Sequence, residues 1–262
     1  MKRYFRIYRE LWRMNFSNLL AFRMHLLNSI IANIAWSSFG IISMLLLTSK
    51  TDHVLNWTRN ELLILAGAYH IVLSIFYFFF SRNFQMFSDI VYLGKLDAIL
   101  TKPIDSQFLL SLQQMSYTSI VRFLIGVIFL CYLFWSLQIS ITFASLFVFV
   151  ALLLLSVIIL YSVWFSVLTI TIWFGNLSNL TELLYAFNTI MRNPGDVYRG
   201  TSIVLYIIFF PFMVILTSPV KALLQKATVG DIIVPFCLAI GLFIFSRMFW
   251  KFALKHYTSA SG

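Results

Sequence analysis

Nine carboxylates, four histidines and two cysteines are the side chains of this 262-residue chain whose types suit acid–base, metal or redox chemistry. The carboxylates are Glu10, Asp52, Glu61, Asp89, Asp97, Asp105, Glu182, Asp196 and Asp231. Each lies in a loop or at the edge of an apolar run. A carrier coupled to protons or sodium places an acidic group within the membrane, where the ion needs a counter-charge. No carboxylate falls at such a depth, so ion-coupled transport is disfavoured, as is an intramembrane hydrolase built on buried carboxylates. His25, His53, His70 and His256 are scattered, and only His70 sits well inside an apolar run. A lone histidine there suits a hydrogen bond between helices. Cys131 and Cys237 stand singly in apolar runs and read as small core residues. G-x-x-x-x-G-K-[ST], H-E-x-x-H and G-x-S-x-G are all absent, which leaves no nucleotide-binding loop, zinc site or nucleophile elbow. Arg122 is the one charge inside a run; it reads as snorkelling to the nearer face, with contact to an anionic substrate as the sharper alternative.

The elements that must hold these residues are set by composition. Hydrophobic residues make up 61% of the chain and charged ones 11%, with a mean hydropathy of +0.90. A soluble domain is nearer 45–50% apolar and about 25% charged. A soluble enzyme or nucleic-acid-binding domain is therefore excluded, despite a net charge of +10. The fold class is an all-α membrane protein, a single transmembrane domain over 1–262 with six transmembrane helices. The spans are read at about 26–48, 62–81, 117–137, 141–174, 202–217 and 232–250. Helices of about 20 residues cross a ~30 Å hydrocarbon layer. The first run is too long for a signal-peptide core and is followed by no small-x-small site, so it is expected to stay as an anchor.

The fourth run holds no charge, Gly or Pro across 34 residues, too few for two full crossings. Charge bias supports one helix. With six spans and both termini cytoplasmic, fourteen Lys or Arg fall inside, among them Arg82, Lys95, Arg192, Arg199 and Arg247. Four, Lys50, Arg59, Lys221 and Lys226, fall outside.

Three segments between the spans carry information. Residues 1–24 are amphipathic: Lys2, Arg6, Arg9 and Arg13 follow one helical face beside Tyr8, Trp12 and Phe16, as in a helix lying among headgroups. Such a helix serves as a topogenic anchor or also touches a cytoplasmic partner. The loop 82–107 carries Phe84, Phe87, Ile90 and Val91 at helical spacing, a break at Gly94, then Leu96, Ile99 and Leu100 up to Lys102-Pro103. Its apolar face is buried on its own bundle or inserts into a partner's groove. The inner loop 175–200 reads as an interfacial helix, with Leu180, Leu183, Leu184 and Phe187, and a turn at Arg192-Asn193-Pro194-Gly195. Pro211, Pro219 and Pro235 predict a broken or re-entrant region between spans five and six.

Gly94-Lys95-Leu96-Asp97 with Leu100-Thr101-Lys102-Pro103 is similar to the G-x-L-D-x-x-L-x-x-P stretch of a bacterial subgroup of ABC-2 type transporter permeases. Asn193-Pro194 with Tyr198 is a second match, and the order of elements resembles that family along essentially the whole chain. The resemblance implies a permease, itself not an enzyme, that pairs with itself or a sister permease in the plasma membrane. A separate ABC ATPase would hold the ATP and Mg, leaving this chain with no cofactor of its own. Gly94, Leu96, Asp97, Ile99, Leu100, Lys102 and Pro103 would form the ATPase-coupling helix; Arg6, Arg9, Trp12 and Arg13 the interfacial helix; Arg122 and His70 part of a pathway. Export rests on the resemblance alone. A stand-alone carrier or channel, a membrane-embedded enzyme or scramblase-like lipid protein, and an assembly factor are the competing readings. Drugs, lipids, peptides and glycan precursors all suit an aromatic bundle as cargo.

Overall fold

The computed structural model describes residues 2–21, 23–49, 53–54, 57–139, 141–175, 178–198 and 202–258. Lys50, Asp52 and Arg199 of the readings above lie outside them. Six helices are long and apolar enough to cross a membrane: Leu26–Leu47, Arg59–Tyr92, Ser119–Leu137, Phe143–Phe174, Ile203–Leu223 and Val229–Leu254. Helix α1 (Lys2–Ala21) precedes α2 (Arg23–Leu47). A two-residue hairpin, His53–Val54 with Trp57–Thr58, leads into α3 (Arg59–Phe76). Thr58 and Glu61 start α3 with reciprocal side-chain caps, and Thr228 with Asp231 starts the last helix in the same way.

The second span is longer than the sequence suggests. A π-turn at Tyr77–Ser81 passes the helix on to α4 (Arg82–Gln85) and α5 (Phe87–Tyr92). Phe84, Phe87 and Val91, expected in a loop, are thus buried on the bundle. After a turn come α6 (Leu96–Leu100) and α7 (Ser106–Leu112), then α8 (Ser119–Leu137). The long charge-free run is one helix in effect, α9 (Phe143–Thr169) continued by α10 (Thr171–Phe174). The chain closes with α11 (Ser178–Asn188), two 3-10 turns at Thr189–Arg192 and Gly195–Tyr198, α12 (Ile203–Leu223) and α13 (Val229–Leu254).

Helix α9 is the centre, packed against α3, α12 and α13. Towards the end of the bundle that carries α1, an aromatic stack joins three of these elements. Phe76 meets Trp164 with 5.1 Å between ring centroids, Phe80 meets Tyr161 at 4.8 Å, and Phe165 meets Trp250 at 5.4 Å. Cys131 and Cys237, expected in the core, are both exposed on the outside of the chain. Lipid removes the reason to bury them, since an apolar surface costs little there.

The break expected between spans five and six is absent. Helix α12 runs unbroken through Pro211 and Pro219, and a short turn with Gln225 in the left-handed region joins it to α13, which contains Pro235. Pro219 cannot bond the carbonyl of Ile215, and Ser156 of α9 donates to that oxygen instead at 2.6 Å.

The chain re-enters one connection earlier. Asn188 accepts from Trp164 of α9 at 3.4 Å, and Arg192 donates to Ser43 of α2 at 2.7 Å. Gly195 donates to Thr217 of α12 at 3.0 Å, and Asp196 accepts from Trp57 at 2.8 Å. Ser43 lies four residues before α2 ends, and Trp57 lies just before α3 begins, both at the end opposite α1. Helix α12 finishes at that same end, where Gln225 bonds Thr142 at 3.0 Å. The chain therefore climbs through the bundle to Asp196 and doubles back before α12 starts. The interfacial loop expected at 175–200 is corrected, over the described residues 178–198, to a segment that turns into the bundle and carries Arg192 to Ser43, away from the α1 end. The physical reason is a buried stripe: Thr181, Leu184, Asn188 and Met191 all face the core.

Candidate functional site

The α1 end of the bundle gathers the loop 82–107, the N-terminal helix and the ends of α9 and α13. Gly94 has φ of 67°, a conformation that favours glycine and lets the chain reverse between α5 and α6. Leu96 and Ile99 then point inward, at 0% and 6% exposure, while Leu100 is 37% exposed and Lys102 and Pro103 face out. Asp97 is half-buried. Met86, Tyr92 and Leu93 are exposed beside them, apolar residues that spacing alone had not singled out.

Past Pro103, Asp105 caps α7 by accepting from the backbone N–H of Phe108 at 2.9 Å. The same carboxylate is gripped by both guanidinium nitrogens of Arg247 on α13, one of them at 2.7 Å from Oδ1. Arg247 also donates to Gln107 Oε1 at 3.1 Å. Gln107 Nε2 donates to the hydroxyl of Tyr161 on α9 at 3.0 Å, and Ser111 shares that hydroxyl at 3.0 Å. Trp250 Nε1 donates to Ser106 at 3.0 Å. The Arg247 guanidinium beside Asp105 holds its carboxyl below the usual carboxylate range, against the opposing effect of partial burial. A bidentate pair fixes orientation as well as distance. The loop 82–107 is thereby stapled to α9 and α13.

Asn83 locks the other side of α7. Its Nδ2 donates to the carbonyls of Ser111 and Gln114 at 2.8 and 2.7 Å, and its Oδ1 accepts from Gln114 N–H at 2.8 Å. Helix α1 lies along the same stretch of chain. Tyr4 packs edge-on to Phe108, Asn15 donates to the Gln113 carbonyl at 2.9 Å, and Tyr117 donates to the Trp12 carbonyl at 2.7 Å. Arg6, Arg9 and Arg13 remain exposed; Arg9 pairs only with its neighbour Glu10, which contributes little in water.

Above the staple, between α7, α9 and α13, is a cavity of about 460 Å³. Phe80, Phe108, Leu155 and Phe243 line it, with Tyr161 and Arg247 at its polar floor. It suits an apolar or amphipathic group. Arg122 lies elsewhere, with its guanidinium 4.8 Å above the Tyr77 ring, and His70 is buried between Gly40 and Gly126. The structure thus places Leu96, Asp97, Ile99 and Leu100 at one end and Arg122 with His70 on a separate face. Asp105, Gln107, Tyr161 and Arg247 were missed as site residues because their partners are 54 to 142 positions apart. The signal that was available is Asp105 just after Pro103, an N-cap before an apolar run.

A family model described as ABC-2 family transporter protein matches residues 34–261. No curated protein matches the chain.

Proposed function

For a chain that belongs to the ABC-2 family of transporter proteins, we propose the role of an export permease driven by a separate ATPase subunit that docks on the loop 82–107. It pairs with itself or with a sister permease in a bacterial plasma membrane, with both termini on the ATPase side. ATP and Mg belong to the partner. The observation that carries this reading is the staple. Helix α6 offers Leu100 outward, with Tyr92 and Leu93 exposed at the end of α5 before it, while Leu96 and Ile99 anchor α6 inward. A force applied there passes through α7 and the Asp105–Arg247 pair to α13, and through Gln107 to Tyr161 on α9. These two helices wall the cavity, so movement of α6 alters the space open to cargo. Coupled motion requires elements with discrete packed arrangements, which bidentate pairs and aromatic stacks supply.

The test is purification of the tagged chain from its native membrane in mild detergent, with identification of whatever is retained stoichiometrically. An ABC ATPase is expected, together with a second permease if the pair is mixed. The double variant Asp97→Lys with Leu100→Glu alters side chains that are not packed in the core, so the bundle should still fold. It is expected to shed the ATPase. Retention of the ATPase at the wild-type ratio would overturn docking on α6, and a chain that carries no ATPase in any mild detergent would favour the stand-alone carrier.

A further inference from the structure

We propose that Arg122, His70 and Arg192 form a ladder of basic side chains across the membrane that takes the anionic headgroup of an amphipathic molecule. Their depths follow from the helices that hold them. Arg122 is three residues into α8 from the α1 end, about 5 Å along the axis. His70 is eleven residues into α3 from the opposite end, about 16 Å. Arg192 bonds Ser43, about 6 Å short of the end of α2 on that same side. The rungs are connected: both guanidinium groups act electrostatically on Tyr69 and His70, and Arg192, Tyr69 and His70 border one small gap beside Gly40.

None of these groups has a counter-charge among the described residues. The ion pairs found there use Glu10, Glu61, Asp105 and Asp231, and none involves Arg122 or Arg192. Arg192 donates only to neutral oxygens of Ser43 and Gly40. Arg122 Nε and His70 Nδ1 are buried without any hydrogen-bond partner, and His70 is 5% exposed. Arg122 is met by the face of the Tyr77 ring and Arg192 by neutral oxygens, so neither charge is neutralised by these contacts, and a charged residue within a span marks a ligand pathway by default. Room for the imidazole has been made deliberately. A Cβ at Gly40 would come within 3.2 Å of the ring, and one at Gly126 within 3.0 Å of the His70 Cβ.

The occupant is an amphiphile rather than a free anion because both arginines are partly exposed on a face that is otherwise greasy. Trp36 and Phe39 of α2, the helix that supplies Ser43 to Arg192, are 68% and 62% exposed. An acyl tail has apolar surface to lie on while the headgroup meets the ladder. The inference draws on the transport reading only for its purpose; binding itself does not depend on an ATPase.

The probe is dodecyl phosphate, titrated into the purified full-length chain with its native partners in neutral maltoside detergent without ATP, and read by native mass spectrometry. Wild type is expected to hold it in preference to dodecanol. Arg122→Gln and Arg192→Gln should each weaken binding about tenfold, the loss of one charge-assisted bond. Arg122→Lys and Arg192→Lys should keep most of it, which guards against a folding artefact. Arg82→Gln, an exposed cation outside the ladder, should leave it unchanged. Binding that survives both Gln variants, or that is no better than dodecanol, would overturn the ladder. Displacement of the probe by equimolar inorganic phosphate would overturn the amphiphile as occupant. A chain that binds the probe but retains no ATPase would remove the permease reading and leave this one standing.

Discussion

At the scale of single residues, Asp105 does two things that can be separated. Its Oδ1 caps α7, and the carboxylate as a whole holds Arg247. Asp105→Asn keeps a good N-cap and removes the charge; Asp105→Ala removes both. The pair is partly open to solvent, so its loss is discounted to about 1 kcal/mol, and the cap adds about 1 kcal/mol more in the Ala variant. Thermal unfolding in detergent at neutral pH should therefore rank wild type above Asn and Asn above Ala. The pH dependence has a definite sign. The folded carboxyl titrates below its ordinary 3.8, so the charge contributes stability above that value and loses it as pH falls through the folded pKa. The gap between wild type and Asp105→Asn should persist from pH 7 to pH 5 and close as pH falls below 3.8 and through the folded pKa. A gap unchanged at low pH would show that the ion pair is not its source. The cap leaves a signal in the sequence, Asp105 before an apolar run, but the ion pair leaves none, since its partner lies 142 positions away. Local spacing reports what a helix turn brings together, and tertiary pairs are invisible to it.

At the scale of elements, the prolines show why one expectation failed while the six spans held. Proline removes a backbone N–H and leaves the carbonyl four residues back without a donor, so three prolines near spans five and six read as a break. In a protein-filled membrane interior a neighbouring side chain can serve that carbonyl. Ser156 does so for Ile215, and also lies 2.8 Å from the Leu152 carbonyl of its own helix. Ser156→Ala should leave the Ile215 oxygen buried and unserved, at a cost of about 1–3 kcal/mol. Pro219→Ala restores the missing N–H, so adding it to Ser156→Ala should recover much of that loss. A double-mutant cycle measured by unfolding reads this directly. Strictly additive effects would mean the hydroxyl and the proline are unrelated. The spans themselves were legible because a charge-free apolar run needs no partner to be recognised. The stretch 82–92 was read as loop because Arg82 and Asn83 interrupt the apolar run, although Asn83 is spent on closing α7 against α4.

At the scale of the whole molecule, the re-entrant segment decides how the two ends of the bundle communicate. Residues 178–198 leave the α1 end, pass Trp164 in the aromatic stack, and bind α2 and Trp57 near the opposite end. Trp164 of α9 is thus joined to the far loops by a contiguous path of packed and hydrogen-bonded residues. The same segment carries Arg192, which charge counting had assigned to the other side. The positive-inside rule counts residues in short loops and is blind to a loop that turns back into the bundle. Accessibility distinguishes the two arrangements. In a chain with Cys131→Ser and Cys237→Ser, a cysteine at exposed Val197 should react with a membrane-impermeant maleimide from the side that labels His53→Cys. It should be protected from the side that labels Lys102→Cys, next to α6. Labelling of Val197→Cys together with Lys102→Cys would return the segment to a surface loop. It would also take Arg192 off the ladder, leaving Arg122 and His70 to face any anionic headgroup from one half of the membrane only.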